Sequence, residues 1–579
     1  MSFADPVTSP WNRRSTALLT IALVLAAVAF ISTLQFQFVY DDESQIVGNQ
    51  LIEQWRFVPH YFNIQVWAHV NPHISGNYYR PIFMVWMRLN QALFGYRPWG
   101  WHLTTVLMHV LATFFVFKLA RRLSQRDDVA FIAAVIFGVH PAHIEAVAWV
   151  SGVTEPLFAA LLIPSFLWFL DWRDGRPNAR AYSLLLYTLA IFSKETAVLM
   201  MPLVFAYCWI YPRPEKPSLI QRFTRSLLPA LPFLAITIGY LYLRKLALGK
   251  LFFQNYPIGL KNDVLTIPSV SWLYVKMLFA PVGLAAFYDT PYITSPTLRG
   301  FLLPLLGVLL LAFAIFLWWW KTRDRLVAFS AILLVLPFLP LLNLGIFFEG
   351  EIAHDRYLYI PSIGFALLLA IALTKLTSGG AKQVLGVEVR AAAITAVVAV
   401  GLLSLTIYQS LFWSDDLVLY NRGVQIAPNN NLALNNLANE FEKRHMYPQA
   451  LTLYSRVLER KPNFYLSNFN VGYVFFETGQ YEPAERFLRR AAALDPTDAS
   501  TFYYMAQCEM HLGQLAEAET NFHRAIATDQ RLLGPRYMLG VLLKKQGRNK
   551  EALDYFRAEL SKNPMDAKAK AEVEALTAR

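Results

Sequence analysis

The sequence predicts an all-α chain: a polytopic transmembrane helical domain of about eleven spans, followed by an α-solenoid. Three observations lead there. The chain of 579 residues is 55% hydrophobic and only 16% charged, against about a quarter charged in ordinary soluble domains. Up to about Leu411, apolar runs alternate with short polar joints. Beyond Trp413 the composition turns mixed, and small residues recur at a fixed interval.

The spans are read at 16–35, 101–120, 129–150, 154–171, 181–193, 196–211, 226–244, 299–320, 326–346, 357–376 and 391–411. The first could pass for a signal peptide, but its apolar run continues past the weak Ala27-Val28-Ala29 match and is long enough to cross. A twelfth segment, 267–284, holds Lys276 and two prolines and is open to spanning or to lying in the interface. Charge decides. With Arg13 and Arg14 inside and eleven spans, every inside joint is basic, including Lys118 to Arg126, Arg173 to Arg180, Arg213 to Arg225 and Lys321 to Arg325. A twelfth span would turn Lys321, Arg323 and Arg325 outward, against the positive-inside rule. The odd count sets the C-terminal domain on the outer side. The net charge of +12 is therefore a topology signal, and no nucleic-acid partner is implied. Cys208 and Cys508 have no local partner and no metal spacing.

The tail has a period of 34. Ala450, Ala484, Ala518 and Ala552 fall on it, as do Pro462, Pro496 and Pro564, with Gln530 in the remaining place. That is the tetratricopeptide pattern, a helix–turn–helix unit. About four repeats are predicted, giving domains at 1–412 and 413–579. Asn436 and Asn470 share a repeat position, with Asn435 and Asn439 close by. Such a row can hydrogen-bond an extended acceptor peptide, or it is plain solvated helix surface.

The predicted outer face gathers the chemistry. The first outer loop, 36–100, carries "YDDE" and "YYRP"; further joints carry "HPAHIEAVAW", "SGVTEP", "SKE" and "FEGEIAHDRYLYIPS". Asp41 and Asp42 are adjacent, so their side chains diverge. One can face a cleft as a base, its pKa raised in partly dry surroundings, while the other holds the loop; the alternative is an inert acidic cap. Arg80, Lys194 and Arg356 lie at loop–span junctions of one predicted side, which points to a phosphate-bearing lipid. His140, His143 and Glu145 do not match the HExxH zinc pattern, and a hydrogen-bonding role competes with metal binding.

The ordered motifs "FVYDD", "YYRPI", "PWGWHLTTVLMH", "FGVHPAHIEAVAWVSG", "SKE" and "LYIPSIGF", followed by the repeats, resemble the transmembrane-and-tetratricopeptide protein O-mannosyltransferases, members of the GT-C class. "SGVTEP" stands where that family often has "GRADLL". The resemblance implies transfer of a hexose, mannose first, from a polyprenyl- or dolichyl-phosphate sugar to an acceptor hydroxyl of protein Ser or Thr. Asp41 would be the general base and Asp42 would orient it. Arg356, Lys194 and Arg80 would bind the lipid phosphate, with Glu195, His140, His143 and Glu155 in the same donor site. Asn435, Asn436, Asn439 and Asn470 would engage the acceptor polypeptide. No cofactor and no metal are expected, and the membrane is read as bacterial cytoplasmic rather than endoplasmic reticulum. A glycan or lipid acceptor, a non-catalytic scaffold and a transporter are the competing readings; the transporter is disfavoured because the charges sit at junctions and not at mid-bilayer.

Overall fold

The computed structural model describes residues 11–69, 77–213, 218–251, 259–347, 350–379 and 382–578. Two compact units divide the chain, residues 1–427 and 428–579. Both are helical; the described strands are one two-residue hairpin, Gln383–Val384 against Val387–Glu388.

In the first unit, seven helices among the described residues are long and apolar enough to cross a membrane: 13–35, 98–124, 150–173, 219–248, 298–322, 325–342 and 389–413. The bent pair 127–138 and 141–148 makes an eighth if it is one span. The expected count of eleven is therefore not reached by length and composition. The segments expected at 181–193, 196–211 and 357–376 are helical but short, at 179–193, 195–210 and 361–376. Residues 267–279 of the segment 267–284 fall on helix Leu260–Phe279, which is long enough to span but too polar to join that set.

The breaks have local causes. Pro141 has no N–H to continue the helix ending at Gly138, and the pair bends by 57°. The His140 imidazole caps the new start by accepting the Ala142 N–H at 3.2 Å. Lys194 is extended, φ −156° and ψ 132°, and so ends helix Ala179–Ser193 before the next begins. Helix Pro361–Leu376 starts at a proline in its first turn, where no N–H is needed.

The helix 154–173 is the centre of this unit, with almost all of its first seventeen residues buried. By contrast, helix Leu303–Thr322 buries only Pro304 and exposes Leu306, Leu309, Leu310 and Phe313, a face suited to lipid. Helices 361–376 and 325–335 approach at Gly364, where an added Cβ would lie 2.4 Å from the Ser330 carbonyl oxygen and the Leu334 nitrogen.

The second unit is four helix pairs and a closing helix: 431–443 with 447–460, 465–477 with 481–494, 499–511 with 515–528, 535–545 with 549–562, then 567–577. Ala450, Ala484, Ala518 and Ala552 are fully buried where paired helices meet. The first helix of each pair ends one 34-residue step apart, with positive φ at His445 (57°), Gly479 (74°), Gly513 (79°) and Gly547 (78°). Glycine is at ease in that left-handed turn; His445 adopts it at a cost.

Candidate functional site

The first unit brings the acidic turn and the three junction cations into one electrostatic cluster. The turn is tight. Tyr40 has φ +58°, a left-handed conformation that is strained for an aromatic residue. It is held by its own N–H, which donates to Asp416 Oδ1 at 2.7 Å. Asp42 is fully buried. Its carboxylate accepts the Ser151 N–H at 2.8 Å and the Ser151 hydroxyl at 2.6 Å through Oδ1, and the Val39 N–H at 3.3 Å through Oδ2. Burial pushes Asp42 up to about 7, against those hydrogen bonds, which favour its charged form.

Asp41 is turned elsewhere. Its side chain makes no hydrogen bond among the described residues and is partly exposed. Burial first, then the charges of Glu351 and Asp42, push its carboxyl up to about 7, while Arg356 pulls it down. The neighbouring Tyr40 hydroxyl donates to Glu351 Oε1 at 3.2 Å.

Each cation has a carboxylate. Arg80 is bidentate on Glu195, Nε to Oε2 at 2.9 Å and Nη2 to Oε1 at 2.6 Å, with its guanidinium 4.6 Å from the Tyr78 ring centre. Lys194 and Glu155 form a buried pair. Arg356 donates to Glu145 twice, through Nη1 to Oε1 and through its backbone N–H to Oε2 at 3.0 Å. His354 Nδ1 lies 3.0 Å from the same Glu145 oxygen. The Arg356 guanidinium is also stacked 5.3 Å over Trp149, whose ring is 5.6 Å from Tyr40. Through this chain of rings Arg356 and the acidic turn face one space. Arg356 Nε and Nη2 have no hydrogen-bond partner among the described residues, so this guanidinium can still take an anionic oxygen.

The histidines behave differently. His140 is buried and shares a hydrogen bond with the Leu278 carbonyl at 3.0 Å. His143 is buried beside Ser362, 2.8 Å from its hydroxyl, and stacks near Tyr359. Both are buried among helices, and His143 Nδ1 has no hydrogen-bond partner among the described residues. Among the described residues no group of three or more His, Cys, Asp or Glu could hold a metal ion.

The asparagine row in the second unit is largely bonded within itself. Asn470 Nδ2 donates to Asn439 Oδ1 at 2.7 Å and to Asn435 Oδ1 at 3.3 Å. The Tyr454 hydroxyl lies 2.5 Å from Asn439 Oδ1 and 2.9 Å from Glu442 Oε2, and Asn435 is buried and accepts the Ser467 hydroxyl. Three of the four amides are thus tied to one another between repeats. Asn436 is the one with no side-chain hydrogen bond among the described residues.

Sequence reasoning missed Ser151 and Glu351 as members of the site, and weighed Glu145 only together with His140 and His143. The carboxylate that meets each junction cation is distant in sequence, so no local signal pointed to it.

A helical membrane domain with a strained acidic turn and paired junction cations, carried with an array of tetratricopeptide repeats, defines a class of transmembrane repeat proteins. Matches to known families narrow it. The family model described as dolichyl-phosphate-mannose-protein mannosyltransferase matches residues 79–242, and a tetratricopeptide repeat model matches 497–561. The model for anaphase-promoting complex, cyclosome, subunit 3 matches 443–525. A protein O-mannosyl-transferase of Caenorhabditis elegans is 28% identical over 418 residues, 71% of this chain and 58% of that one. The Homo sapiens protein O-mannosyl-transferase TMTC1 is 26% identical over 469 residues, 70% and 51% of the two chains. Among solved structures, that of MamA is similar over 24% of this chain and 83% of its own, at 20% identity and a TM-score of 0.24. The chain is similar to protein O-mannosyl-transferases that carry the TMTC name over 70–75% of its length. It spans about half the length of the curated relatives it matches.

Proposed function

We propose that the chain is a GT-C glycosyltransferase that moves mannose from a polyprenyl- or dolichyl-phosphate donor to a hydroxyl of protein Ser or Thr. The observation that carries this reading is Asp41: a partly exposed carboxyl, raised to about 7, with Arg356 as the cation next to it. A base of that pKa is half ionised near neutral pH and can accept the acceptor's proton as the hydroxyl attacks.

The rest of the cluster supplies complementary roles. As the bond from sugar to phosphate breaks, the sugar carbon gains positive character and the phosphate gains negative charge. Arg356, with Arg80 and Lys194 beyond it, offers positive charge that is already fixed by Glu145, Glu195 and Glu155, so little reorganisation accompanies the step. Asp42, locked to Ser151, sets the turn that aims Asp41. Attack from the face opposite the leaving phosphate inverts the sugar carbon. No resident metal is invoked. The repeats engage the acceptor polypeptide, with Asn436 as the amide left to contact it.

The test is direct. The purified chain is incubated with radiolabelled dolichyl- and undecaprenyl-phosphate mannose and a Ser/Thr peptide library, and modified residues are mapped by mass spectrometry. Hexose on peptide hydroxyls supports the reading. Label appearing only on glycan or lipid would replace the acceptor, and no transfer with any acceptor would remove the activity.

A further inference from the structure

The motif "PWGWHLTTVLMH" ends on a histidine that has no part in the acidic turn or in the cation pairs described above. His109 is fully buried on helix Pro98–Ser124, and both of its ring nitrogens are bonded. Nε2 lies 3.0 Å from the Gly138 carbonyl oxygen, and Nδ1 lies 2.8 Å from the Tyr359 hydroxyl. A carbonyl can only accept, so Nε2 carries the hydrogen, and a neutral ring then accepts the Tyr359 O–H at Nδ1.

These two partners belong to the two sides of one ion pair. Gly138 ends the helix 127–138, and the chain reaches Glu145 through the bend at Pro141. Tyr359 follows the turn that carries Arg356, and its backbone N–H donates to the Arg356 carbonyl at 3.1 Å. The Tyr359 carbonyl accepts the Ser362 hydroxyl at 2.8 Å. A single imidazole therefore joins the segment that delivers Glu145 to the turn that delivers Arg356. The helices come close at this point. An added Cβ at Gly138 would lie 2.9 Å from Ala26 Cβ and 3.2 Å from Thr113 Cγ2. Thr113 in turn donates its hydroxyl to the His109 carbonyl at 2.9 Å.

The Arg356 backbone is thus held on both sides, its N–H by Glu145 and its carbonyl by Tyr359. An arginine fork binds phosphate oxygens through directed hydrogen bonds, so its stem must be aimed. A misplacement of about 1 Å at a reacting group can cost on the order of a hundredfold. We infer that His109 is a positioning residue for Arg356. Through Tyr359 it fixes the Arg356 backbone, and through Gly138 it fixes the approach of Glu145, so that the guanidinium is aimed at the donor's phosphate. The inference rests on the proposed role of Arg356 as the cation for that phosphate.

The test is a double-mutant cycle on the full chain in detergent. Binding of dolichyl phosphate and of undecaprenyl phosphate is read by native mass spectrometry, which needs no turnover. Tyr359→Phe keeps the ring and removes the hydroxyl. His109→Gln keeps a donor for the Gly138 carbonyl and removes the ring acceptor at Nδ1. Each should weaken lipid-phosphate binding about tenfold in the wild-type background. In the Arg356→Lys background each should weaken it less than about twofold, because effects that pass through one contact do not add. Tyr187→Phe removes another buried hydroxyl, 2.6 Å from Thr237 Oγ1. It should leave binding unchanged in both backgrounds, and its thermal midpoint shows what losing such a bond costs by itself. Equal weakening by Tyr359→Phe in both backgrounds, or none in either, would overturn the positioning role while wild-type binding upheld the reading of Arg356. A wild-type chain that binds neither lipid phosphate would overturn that reading, and the inference with it.

Discussion

Asp42 and Ser151 are joined across 109 positions of sequence: one carboxylate oxygen takes both the backbone N–H and the hydroxyl of Ser151. This bond fastens the acidic turn to the start of the central helix, and the direction of Asp41 depends on it. Asp42→Ala leaves three buried donors without an acceptor, each costly to desolvate. The expected loss is roughly 2–3 kcal/mol of stability, with transfer falling further than stability alone accounts for. Ser151→Ala removes one hydroxyl donor and costs about 1 kcal/mol. Thermal unfolding alongside turnover at matched folded fraction checks both.

Asp41 sets a pH profile. A base must be deprotonated to act, so kcat/KM is expected to fall as pH drops through about 7, the value to which burial and its acidic neighbours raise Asp41. The stability consequence has the opposite sign. Because the folded pKa is above the ordinary carboxyl value, the folded state holds the Asp41 proton longer than the unfolded chain does. That contribution is fully present below about 4 and is lost as pH rises through about 7. Asp41→Asn should therefore raise the unfolding midpoint at pH 8 relative to wild type and leave it little changed at pH 4. A profile flat from pH 5 to 9 would argue against Asp41 as the base.

The Arg356–Glu145 pair is buried and serves geometry as well as charge. Glu145→Gln leaves the guanidinium beside His354 without its counter-charge and offers one acceptor oxygen for the two donors, Arg356 Nη1 and the Arg356 backbone N–H. A loss of about 3 kcal/mol is expected for breaking a buried pair from one side. Arg356→Lys keeps the charge and loses the fork, so KM for the lipid donor should rise with smaller effect on stability. Donor titrations and chemical denaturation separate the two.

In the repeats, Asn470 is structural and Asn436 is not. Asn470→Ala removes the amide that bridges Asn435 and Asn439 and should cost about 1–2 kcal/mol. Asn436→Ala should change stability by less than about 0.5 kcal/mol. If the repeats hold the acceptor, it should raise KM for a peptide acceptor while leaving KM for the lipid donor alone.

The repeats were legible because Ala450, Ala484, Ala518 and Ala552 encode a local, periodic packing demand that the structure meets with four buried contacts. The membrane helices were legible as apolar runs, and their boundaries were less so. The runs that fall short of membrane length end at Lys194 and at Pro361, and the bent pair breaks at Pro141. Those are the junctions that deliver Lys194, Arg356 and Glu145 to the cluster, so breaking the helix and building the site are the same local event. Ion partners were not legible. Arg356 and Glu145 lie 211 positions apart, and Arg80 and Glu195 lie 115 apart. Nothing short of the helix packing tells which carboxylate meets which cation. The divergence of Asp41 from Asp42, by contrast, followed from adjacency on the backbone. The bonds among Asn435, Asn439 and Asn470 were not legible, because the repeat position shared by Asn436 and Asn470 says which face an amide is on and not whether a neighbouring repeat already uses it.

The central claim is that Asp41 takes the acceptor's proton. The measurement that bears on it most directly is transfer of labelled mannose by Asp41→Asn, with binding of the lipid-phosphate donor to the same preparation measured in parallel. The expected result is donor binding at wild-type affinity and a turnover lower by about 10²–10⁴-fold, the range for loss of a positioned base. Turnover at the wild-type level with the donor bound would contradict it.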